Sequence, residues 1–180
     1  MTRLEDASID EWKKLYDANF FSALALVSRE HCPVSVRQEH ALTLYKTKVT
    51  IPHLRASKGR IVYLSSGAAT GAYTAWGAYG TSKAALNSLA RHVAVEEQDI
   101  TALAVSPGRV DTDMQKELRE KGTEMDKKDY AAFQSDFDEG RLVKPQDPAA
   151  VIARLAVEAG VHLSGTFYKW DSAELIEYRL

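Results

Sequence analysis

Two short apolar runs on either side of a long helical segment constrain the fold of this chain most strongly. Residues 61–64 and 101–105 each have the length and composition of a buried strand. Residues 78–97, which lie between them, place apolar side chains at helical spacing. A strand, a helix and a second strand in this order predict an α/β protein with a parallel sheet.

Three polar side chains fall where a sheet of this kind binds ligands. Ser66 follows the first strand, and open α/β sheets bind ligands beyond the carboxyl ends of their strands. From there it would donate a hydrogen bond to a substrate carbonyl. Tyr79 and Lys83 are four residues apart and therefore share one face of the helix. Because a neighbouring ammonium stabilises a phenolate, we expect Lys83 to lower the pKa of Tyr79 and make it a general acid or base.

A turn after the second strand makes this interpretation more specific. A tyrosine and a lysine at this spacing are usually without catalytic function. Here Pro107 and Gly108 follow the strand, and Val110 and Thr112 come next in a polar tail. The strand-end serine, the paired tyrosine and lysine, and this turn together form a strong signal.

In this combination the chain resembles the C-terminal part of a short-chain dehydrogenase/reductase, whose pattern is Ser, then Tyr-x-x-x-Lys, then Pro-Gly-x-Val-x-Thr. The similarity is greatest to the fungal members that resemble sepiapterin reductase and benzil reductase. The phrases that carry it are residues 12–17 with 19–22, 76–80 and 110–115. It implies a partial NAD(P)-binding domain over residues 1–180, built as a Rossmann-like, doubly wound parallel sheet.

The resemblance also implies an activity, which is the reduction of a small ketone or diketone to an alcohol. The cofactor would be NADP(H), with NAD(H) as the alternative. The family's glycine-rich phosphate turn, Gly-x-x-x-Gly-x-Gly, does not occur in these 180 residues. We therefore expect the N-terminal βα units of the sheet to be absent and the strand at 60–66 to have an unpaired edge. A catalytically inactive fragment that acts only in dimerisation or interaction is the second interpretation.

The site residues of the family map onto this sequence one by one. The catalytic set would be Asn19, Ser66, Tyr79 and Lys83. The cofactor-binding set would be Tyr79, Lys83, Pro107, Gly108, Val110 and Thr112, and the substrate-binding set Ser66, Tyr73 and Trp76. Val110 would bind the nicotinamide carboxamide through its backbone, and Asn19 would hold a water of a proton relay behind Lys83. A satisfied core or interface asparagine at Asn19, and ordinary packing of Tyr73 and Trp76, are the alternatives.

Residues 28–47 interrupt the resemblance. The spacing from Asn19 to Ser66 is longer than in the family, so we interpret 28–47 as an insert. A retained intron is our hypothesis for its origin, because the Val-Ser pair at 27–28 can be encoded by GTGAGT. Pro33 predicts a helix break or a projecting loop there. The insert contains three potential metal ligands, His31, Cys32 and His40. Their spacing matches no zinc pattern, so we predict no metal site.

Three further elements complete the prediction. Residues 8–27 form a helix, with a capping box that starts at Ser8. Residues 112–140 form a charged, helical lid that is broken at its glycines. Asp147 caps a last helix, and 166–169 form the third strand.

Composition and charge exclude several classes of protein. A net charge of −2 and an isoelectric point near 6.2 give no electrostatic case for binding nucleic acid or an anionic membrane. The single cysteine, Cys32, excludes an internal disulfide and fits a reducing compartment. No apolar run approaches the roughly 18 residues of a spanning helix, and no signal peptide is apparent, so we expect a cytoplasmic protein. In the family the helices that carry Asn19 and Tyr79 often form a dimer, and we expect a homodimer through them.

Overall fold

The computed structural model describes residues 2–21, 25–27 and 43–179. Residues 28–42, which include His31, Cys32, Pro33 and His40, lie outside the described residues. The interpretation of 28–47 as an insert therefore stays a prediction. Among the described helices, none combines the length and the apolarity needed to cross a bilayer.

In the described part of the chain, a four-stranded sheet in the order β1-β2-β3-β4 forms the centre. Its strands are β1 (Ala25–Val27), β2 (Arg60–Leu64), β3 (Thr101–Ser106) and β4 (Phe167–Lys169). β2, β3 and β4 are parallel, with Val62 beside Leu103 and Ala104 beside Phe167. The predicted parallel α/β sheet and its three strands are thus confirmed.

Helices cover both faces of this sheet. The α-helices of the described residues are α1 (Ile9–Tyr16), α2 (Thr43–Ser57), α3 (Gly77–Glu96), α4 (Asp113–Lys121), α5 (Lys127–Asp138) and α6 (Gln146–Glu158). The central helix α3 agrees with the prediction of 78–97 to one residue at each end. A 3₁₀ turn, Gly122–Glu124, separates α4 from α5, as the glycine break in the predicted lid indicates.

Two apolar clusters, one on each face of the sheet, hold these elements together. All six residues of β3 are buried, as a central parallel strand covered on both faces requires. On one face Leu103 and Val105 belong to a cluster with Leu155 of α6. On the other face Ala104 belongs to a cluster with Leu86 of α3. Because α3 is anchored by this second cluster, its first turns are held against the end of β2.

The prediction of one helix over 8–27 is wrong. α1 ends at Tyr16 and is followed by a π-helical turn, Asp17–Phe21. Further along the chain, β1 pairs antiparallel with β2, with Val27 beside Ile61. β1 therefore covers the edge of β2 that we expected to be unpaired. Unpaired N–H and C=O groups along a strand edge are a template for any extended segment within reach, and β1 satisfies them.

Two predicted helix caps are also wrong. Ser8 precedes α1, but its side chain makes no capping hydrogen bond, and only its carbonyl accepts from the Trp12 amide, at 3.1 Å. Asp147 lies inside the first turn of α6, because Pro145 already has a helical φ of −54° and ψ of −30°. An acidic residue in the first turn still stabilises the helix through the helix dipole.

Candidate active site

Ser66 and Tyr79 lie near each other at the carboxyl end of β2, close enough for the Ser66 hydroxyl to affect the pKa of the Tyr79 phenol. Ser65, the residue after β2, still belongs to the sheet, since its amide donates to the Val105 carbonyl at 2.8 Å. The Ser66 hydroxyl oxygen accepts from the Ala68 amide at 3.2 Å and caps a short 3₁₀ turn. Tyr79 lies in the first turn of α3. The fold thus brings the predicted strand-end hydroxyl and the predicted phenol to the same end of β2.

Gly80 permits this close approach between α3 and the turn after Ser66. A Cβ atom at Gly80 would lie 2.8 Å from the carbonyl oxygen of Ala68, which is closer than real Cβ contacts come. The obstructing atom belongs to the backbone, and it belongs to the residue whose amide binds Ser66. The absence of a side chain at Gly80 therefore helps to set the distance between Ser66 and Tyr79.

We expect Gly80→Ala to lower the free energy of unfolding by about 1 kcal/mol. Overpacking costs about 1–3 kcal/mol, whereas alanine in a helix gains about 1 kcal/mol over glycine. Urea denaturation measures the difference, and Gly67→Ala is the control because a Cβ at Gly67 meets no atom within 4 Å. An increase in the free energy of unfolding on Gly80→Ala would contradict the close approach of the Ala68 carbonyl to α3.

Lys83 lies one turn further along α3 and reaches the end of β2. Its Nζ donates to the Leu64 carbonyl at 3.0 Å and lies 5.7 Å from the centroid of the Tyr79 ring. Only 8% of the residue is exposed, and burial lowers the pKa of Lys83 to about 8. Lys83 therefore remains protonated at pH 7 but loses its proton much more readily than an exposed lysine.

Burial raises the pKa of Tyr79, and the hydrogen bond with Ser66 opposes this shift only in part. The expectation that Lys83 lowers the pKa of Tyr79 is wrong for this structure. The loss of hydration of the phenolate outweighs the stabilising contacts, and the Lys83 ammonium is directed to the Leu64 carbonyl. Tyr79 is consequently a protonated phenol at neutral pH, which is the form that donates a proton.

The buried ammonium of Lys83 links the stability of the fold to pH. Because folding lowers the pKa of Lys83 from 10.5 to about 8, the unfolded chain binds more protons between these values. The free energy of unfolding should therefore rise with pH above about 8. Below pH 8 the full cost of burying the charged Lys83 lowers the free energy of unfolding, by about 3 kcal/mol. The raised pKa of Tyr79 makes the free energy of unfolding fall with pH above 10.0, the usual pKa of tyrosine. We therefore expect the rise in the free energy of unfolding between pH 8 and 10.

We expect Lys83→Met to raise the free energy of unfolding at pH 7 by about 1–2 kcal/mol. The variant removes the cost of burying the charge and loses one hydrogen bond to the Leu64 carbonyl. It should also abolish the rise in stability between pH 8 and 10 that urea denaturation measures in the parent. The exposed Lys116→Met is the control, and a destabilised Lys83→Met protein would contradict this account.

Sequence analysis did not identify Ser65 and Asn87 as a pair. Ser65 Oγ donates to Asn87 Oδ1 at 2.6 Å and also lies 3.4 Å from the Lys83 carbonyl oxygen. Asn87 follows Lys83 by four residues and therefore shares the helix face of Tyr79 and Lys83. That spacing is the signal by which the sequence could have indicated Asn87. The pair holds α3 to the end of β2 beside the candidate catalytic groups.

Asn19 is the one predicted catalytic residue that the structure does not join to the others. It is half-buried in the π-helical turn Asp17–Phe21, which packs against α3. Among the described residues its side chain makes no hydrogen bond, to Lys83 or to another group. Because no contact joins Asn19 to Lys83, the relay role of Asn19 stays a prediction. Its position is consistent with a functional site, since π-helical turns occur preferentially at such sites.

Val110, which is predicted to bind the cofactor, forms an isolated parallel bridge with Val143. The Val143 amide donates to the Arg109 carbonyl and the Asp111 amide donates to the Val143 carbonyl, both at 2.9 Å. In such a bridge the amide and carbonyl of the central residue point to the opposite side. Thr112 Oγ1 donates to that Val110 carbonyl at 3.3 Å. The backbone of Val110 thus faces away from Val143, as binding of a carboxamide would require.

Pro107 and Gly108 shape the turn that leads to this bridge. Gly108 has a φ of +79°, which residues with a side chain rarely adopt. Its amide donates to Ser106 Oγ at 3.4 Å, and a Cβ there would lie 3.2 Å from the Trp170 indole nitrogen. The turn therefore requires glycine for both its conformation and its packing.

Trp76 lines a cavity beside Tyr79, and Tyr73 supports it from behind. The rings of Trp76 and Tyr79 meet edge-on, with their centroids 5.4 Å apart and their planes at 87°. The centroid of the Tyr73 ring lies 5.3 Å from that of Trp76. The cavity measures about 490 Å³, within the range of small-ligand sites. Its lining includes the apolar Trp12, Leu15, Met114 and Leu118 and the charged Glu11, Glu117 and Lys121. Of Ser66, Tyr79 and Lys83, the smaller cavity is lined by Tyr79. A neighbouring cavity of about 630 Å³, which includes Tyr73 and Trp76 in its lining, is lined by none of the three. The smaller cavity is therefore the candidate substrate site.

Residues 41–123 match the protein family described as short chain dehydrogenase. This segment contains the turn at 107–112 as well as Ser66, Tyr79 and Lys83. The family match thus covers the same residues that the structure assembles at the end of β2.

Two curated relatives and one solved structure extend the similarity to nearly the whole chain. An uncharacterized oxidoreductase of Schizosaccharomyces pombe is 39% identical over 174 residues, which are 96% of this chain and 62% of the relative. A benzil reductase ((S)-benzoin forming) of Saccharomyces cerevisiae is 35% identical over 175 residues, 93% of this chain and 59% of the relative. The crystal structure of a Saccharomyces cerevisiae short chain dehydrogenase/reductase has a TM-score of 0.85 at 31% identity, covering 99% of this chain and 64% of that one. The chain thus spans about three fifths of the length of these curated relatives.

Proposed function

We propose that this chain, which belongs to the short-chain dehydrogenase/reductase family, carries the catalytic groups of a carbonyl reductase. The reaction is the reduction of a ketone or diketone to an alcohol with NADP(H), and the preference for NADP(H) over NAD(H) follows the resemblance. The observation that supports the proposal is the assembly of Ser66, Tyr79 and Lys83 at the end of β2, with Lys83 Nζ 5.7 Å from the centroid of the Tyr79 ring. Nothing in the comparisons favours the inactive fragment.

Tyr79 would be the proton donor of this reaction. A carbonyl oxygen placed in the cavity beside Tyr79 accepts hydrogen bonds from the Ser66 hydroxyl and the Tyr79 phenol. When bound, a nicotinamide dinucleotide would supply the hydride that the carbonyl carbon accepts. As negative charge develops on the oxygen, Tyr79 gives up its proton, and the raised pKa of Tyr79 keeps that proton in place until then. Lys83 remains protonated one helical turn away, with its Nζ 5.7 Å from the centroid of the Tyr79 ring.

The residues of this chain fit the nicotinamide end of such a cofactor. The outward-facing backbone of Val110 would bind the carboxamide, and Thr112 lies next to it. Pro107 and Gly108 bring this backbone past the end of β3, and Lys83 would hold the ribose, as the resemblance implies. The glycine-rich pyrophosphate turn does not occur in these residues. The activity is therefore proposed for this chain together with a dinucleotide-binding half of the family's kind.

An aromatic ketone or diketone is the substrate class that the cavity suits. Its lining is mostly apolar, with Glu11, Glu117 and Lys121 as its charged members, and contains the rings of Trp12, Trp76 and Tyr79. Planar aryl groups pack well against such rings in offset or edge-on arrangements. The name of the Saccharomyces cerevisiae relative, benzil reductase, points to the same chemistry in a protein that is 35% identical.

A homodimer through the helices that carry Asn19 and Tyr79 is the proposed assembly. The small half-buried residues Ala84 and Ala85 leave room on α3 for a second helix, whereas Ala90 is buried in the core of its own chain. Sedimentation equilibrium tests this proposal. A monomer at all concentrations would contradict it.

The activity is tested in a chain in which these 180 residues follow the glycine-rich βα units of a family member. Loss of NADPH absorbance is followed with benzil and with an aliphatic diketone, and NADH is compared with NADPH. We expect NADPH-dependent formation of the hydroxyketone. A folded protein that binds NADPH but reduces neither diketone would contradict the proposed function.

A further inference from the structure

We propose that Arg109 is a positioning residue that holds the aromatic wall of the substrate cavity in place and thereby sets the preference for aryl carbonyl substrates. This inference rests on the proposed function. It assigns a role to the variable position of the Pro-Gly-x-Val-x-Thr motif, and it connects that motif to α5.

The aromatic wall consists of Trp76, which lines the cavity, and of Tyr73 and Phe133, which pack against Trp76 without lining the cavity themselves. Phe133 comes from α5 and is only 3% exposed. It stacks on Trp76 with a centroid distance of 5.5 Å and an interplanar angle of 28°, and it meets Tyr73 edge-on at 6.2 Å. Trp76 in turn meets the ring of Tyr79. The position of Phe133 therefore determines where Trp76 stands beside the proton donor.

Arg109 contacts the ring of Phe133 and the neighbouring residues of α5. Its guanidinium carbon lies 4.0 Å from the centroid of the Phe133 ring, within the range of a cation–π interaction. Its Nη1 donates to the Ala132 carbonyl at 3.3 Å and to the carboxylate of Asp136. Asp136 also accepts from Arg141 Nε at 2.8 Å. Arg109 thus contacts α5 at three points around the residue that stacks on Trp76.

The backbone of Arg109 belongs to the turn that is proposed to bind the cofactor. It lies between Gly108 and Val110, and its carbonyl accepts from the Val143 amide at 2.9 Å. One residue therefore joins the nicotinamide-binding backbone to the wall of the substrate cavity. A substrate whose binding depends on that wall should depend on Arg109, and a substrate without rings should not.

The chain offers a matched pair of variants for testing this. Arg109→Met removes the contacts with Phe133 and Asp136 and keeps an apolar side chain of similar length. Arg141→Met removes the other arginine bound to Asp136, and Arg141 makes no ring contact among the described residues. Arg109→Lys restores the positive charge without the planar guanidinium, so a partial recovery is expected.

The first measurement is fluorine NMR of the 180-residue protein labelled with fluorotryptophan, in which Trp76→Phe identifies the Trp76 signal. We expect Arg109→Met to shift the Trp76 signal, Arg141→Met to leave it in place, and the signal of Trp12 to stay unchanged in both. Circular dichroism confirms that each variant is folded. Asp136→Asn provides a second route to the same shift, should Arg109→Met be poorly folded.

The second measurement uses the 180 residues behind the glycine-rich βα units of a family member and titrates benzil and 2,3-butanedione against the Trp76 signal in the presence of NADP⁺. Arg109→Met should weaken benzil binding about tenfold, while butanedione binding and the Arg141→Met protein stay as in the parent. An unchanged Trp76 signal, unchanged benzil affinity, or equal losses for both diketones would overturn the inference. A parent protein that binds butanedione as tightly as benzil would overturn the inference alone. A parent that binds neither diketone would count against the proposed function itself, and against this inference with it.

Discussion

Replacing Tyr79 by phenylalanine should lower kcat for carbonyl reduction by about 10²–10⁴-fold in a chain that carries the family's glycine-rich half. The variant removes the phenolic proton donor and keeps the ring that packs edge-on against Trp76. Since the cofactor is held mainly by its pyrophosphate and ribose, its affinity should change little. The loss should therefore appear in kcat and not in the dissociation constant of NADPH.

Steady-state kinetics with benzil and a fluorescence titration with NADPH separate these two effects. Tyr73→Phe is the matched control, because it removes the same hydroxyl from another ring of the aromatic wall. It should retain most of its turnover. If Tyr79→Phe keeps most of the parent's kcat, Tyr79 is not the proton donor.

The polypeptide of these 180 residues alone should not reduce a diketone with NADPH at a measurable rate. Holding the reacting atoms about 3–3.5 Å apart is worth about 7–11 kcal/mol of the barrier. In this fold most of the grip on a dinucleotide comes from the pyrophosphate turn and the ribose contacts. Lys83, Val110 and Thr112 would contact only the nicotinamide end and should hold it weakly.

Titration of the purified polypeptide with NADPH, followed by fluorescence, together with an absorbance assay using benzil, measures both quantities. The same 180 residues behind the glycine-rich βα units of a family member are the positive control. Micromolar binding of NADPH and turnover by the 180-residue polypeptide alone would contradict the prediction. That outcome would mean that Lys83, Val110 and Thr112 suffice to position the cofactor.

The positions of the main chemical groups were readable in the sequence, because they depend on local periodicity. An apolar run long enough for one buried strand places Ser66 at its end, and helical spacing places Tyr79 and Lys83 on one face of α3. The parallel arrangement of β2, β3 and β4 follows from the strand–helix–strand order. The glycine in the lid ended α4 as expected, because glycine is a poor helix former.

The direction of the pKa of Tyr79 was decided only by the tertiary structure. The sequence shows that a lysine is one helical turn away, but it does not show how much water the fold removes from the phenol. Burial also lowers the pKa of Lys83 to about 8, so that the positive charge on which the sequence argument relied is lost more readily. Desolvation depends on neighbours that are distant in the chain, and so local spacing cannot report it.

Contacts between distant segments were likewise invisible in the sequence. No local pattern places Ala25–Val27 beside Ile61, the carbonyl of Ala68 against Gly80, or Arg109 on the ring of Phe133. Each of these contacts joins two elements whose separate patterns are satisfied by many other arrangements. The sequence by itself determined which chemical groups this protein presents at the end of β2. The packing of α3, α5 and β1 around the sheet determined their distances, their protonation and the wall against which a substrate would bind.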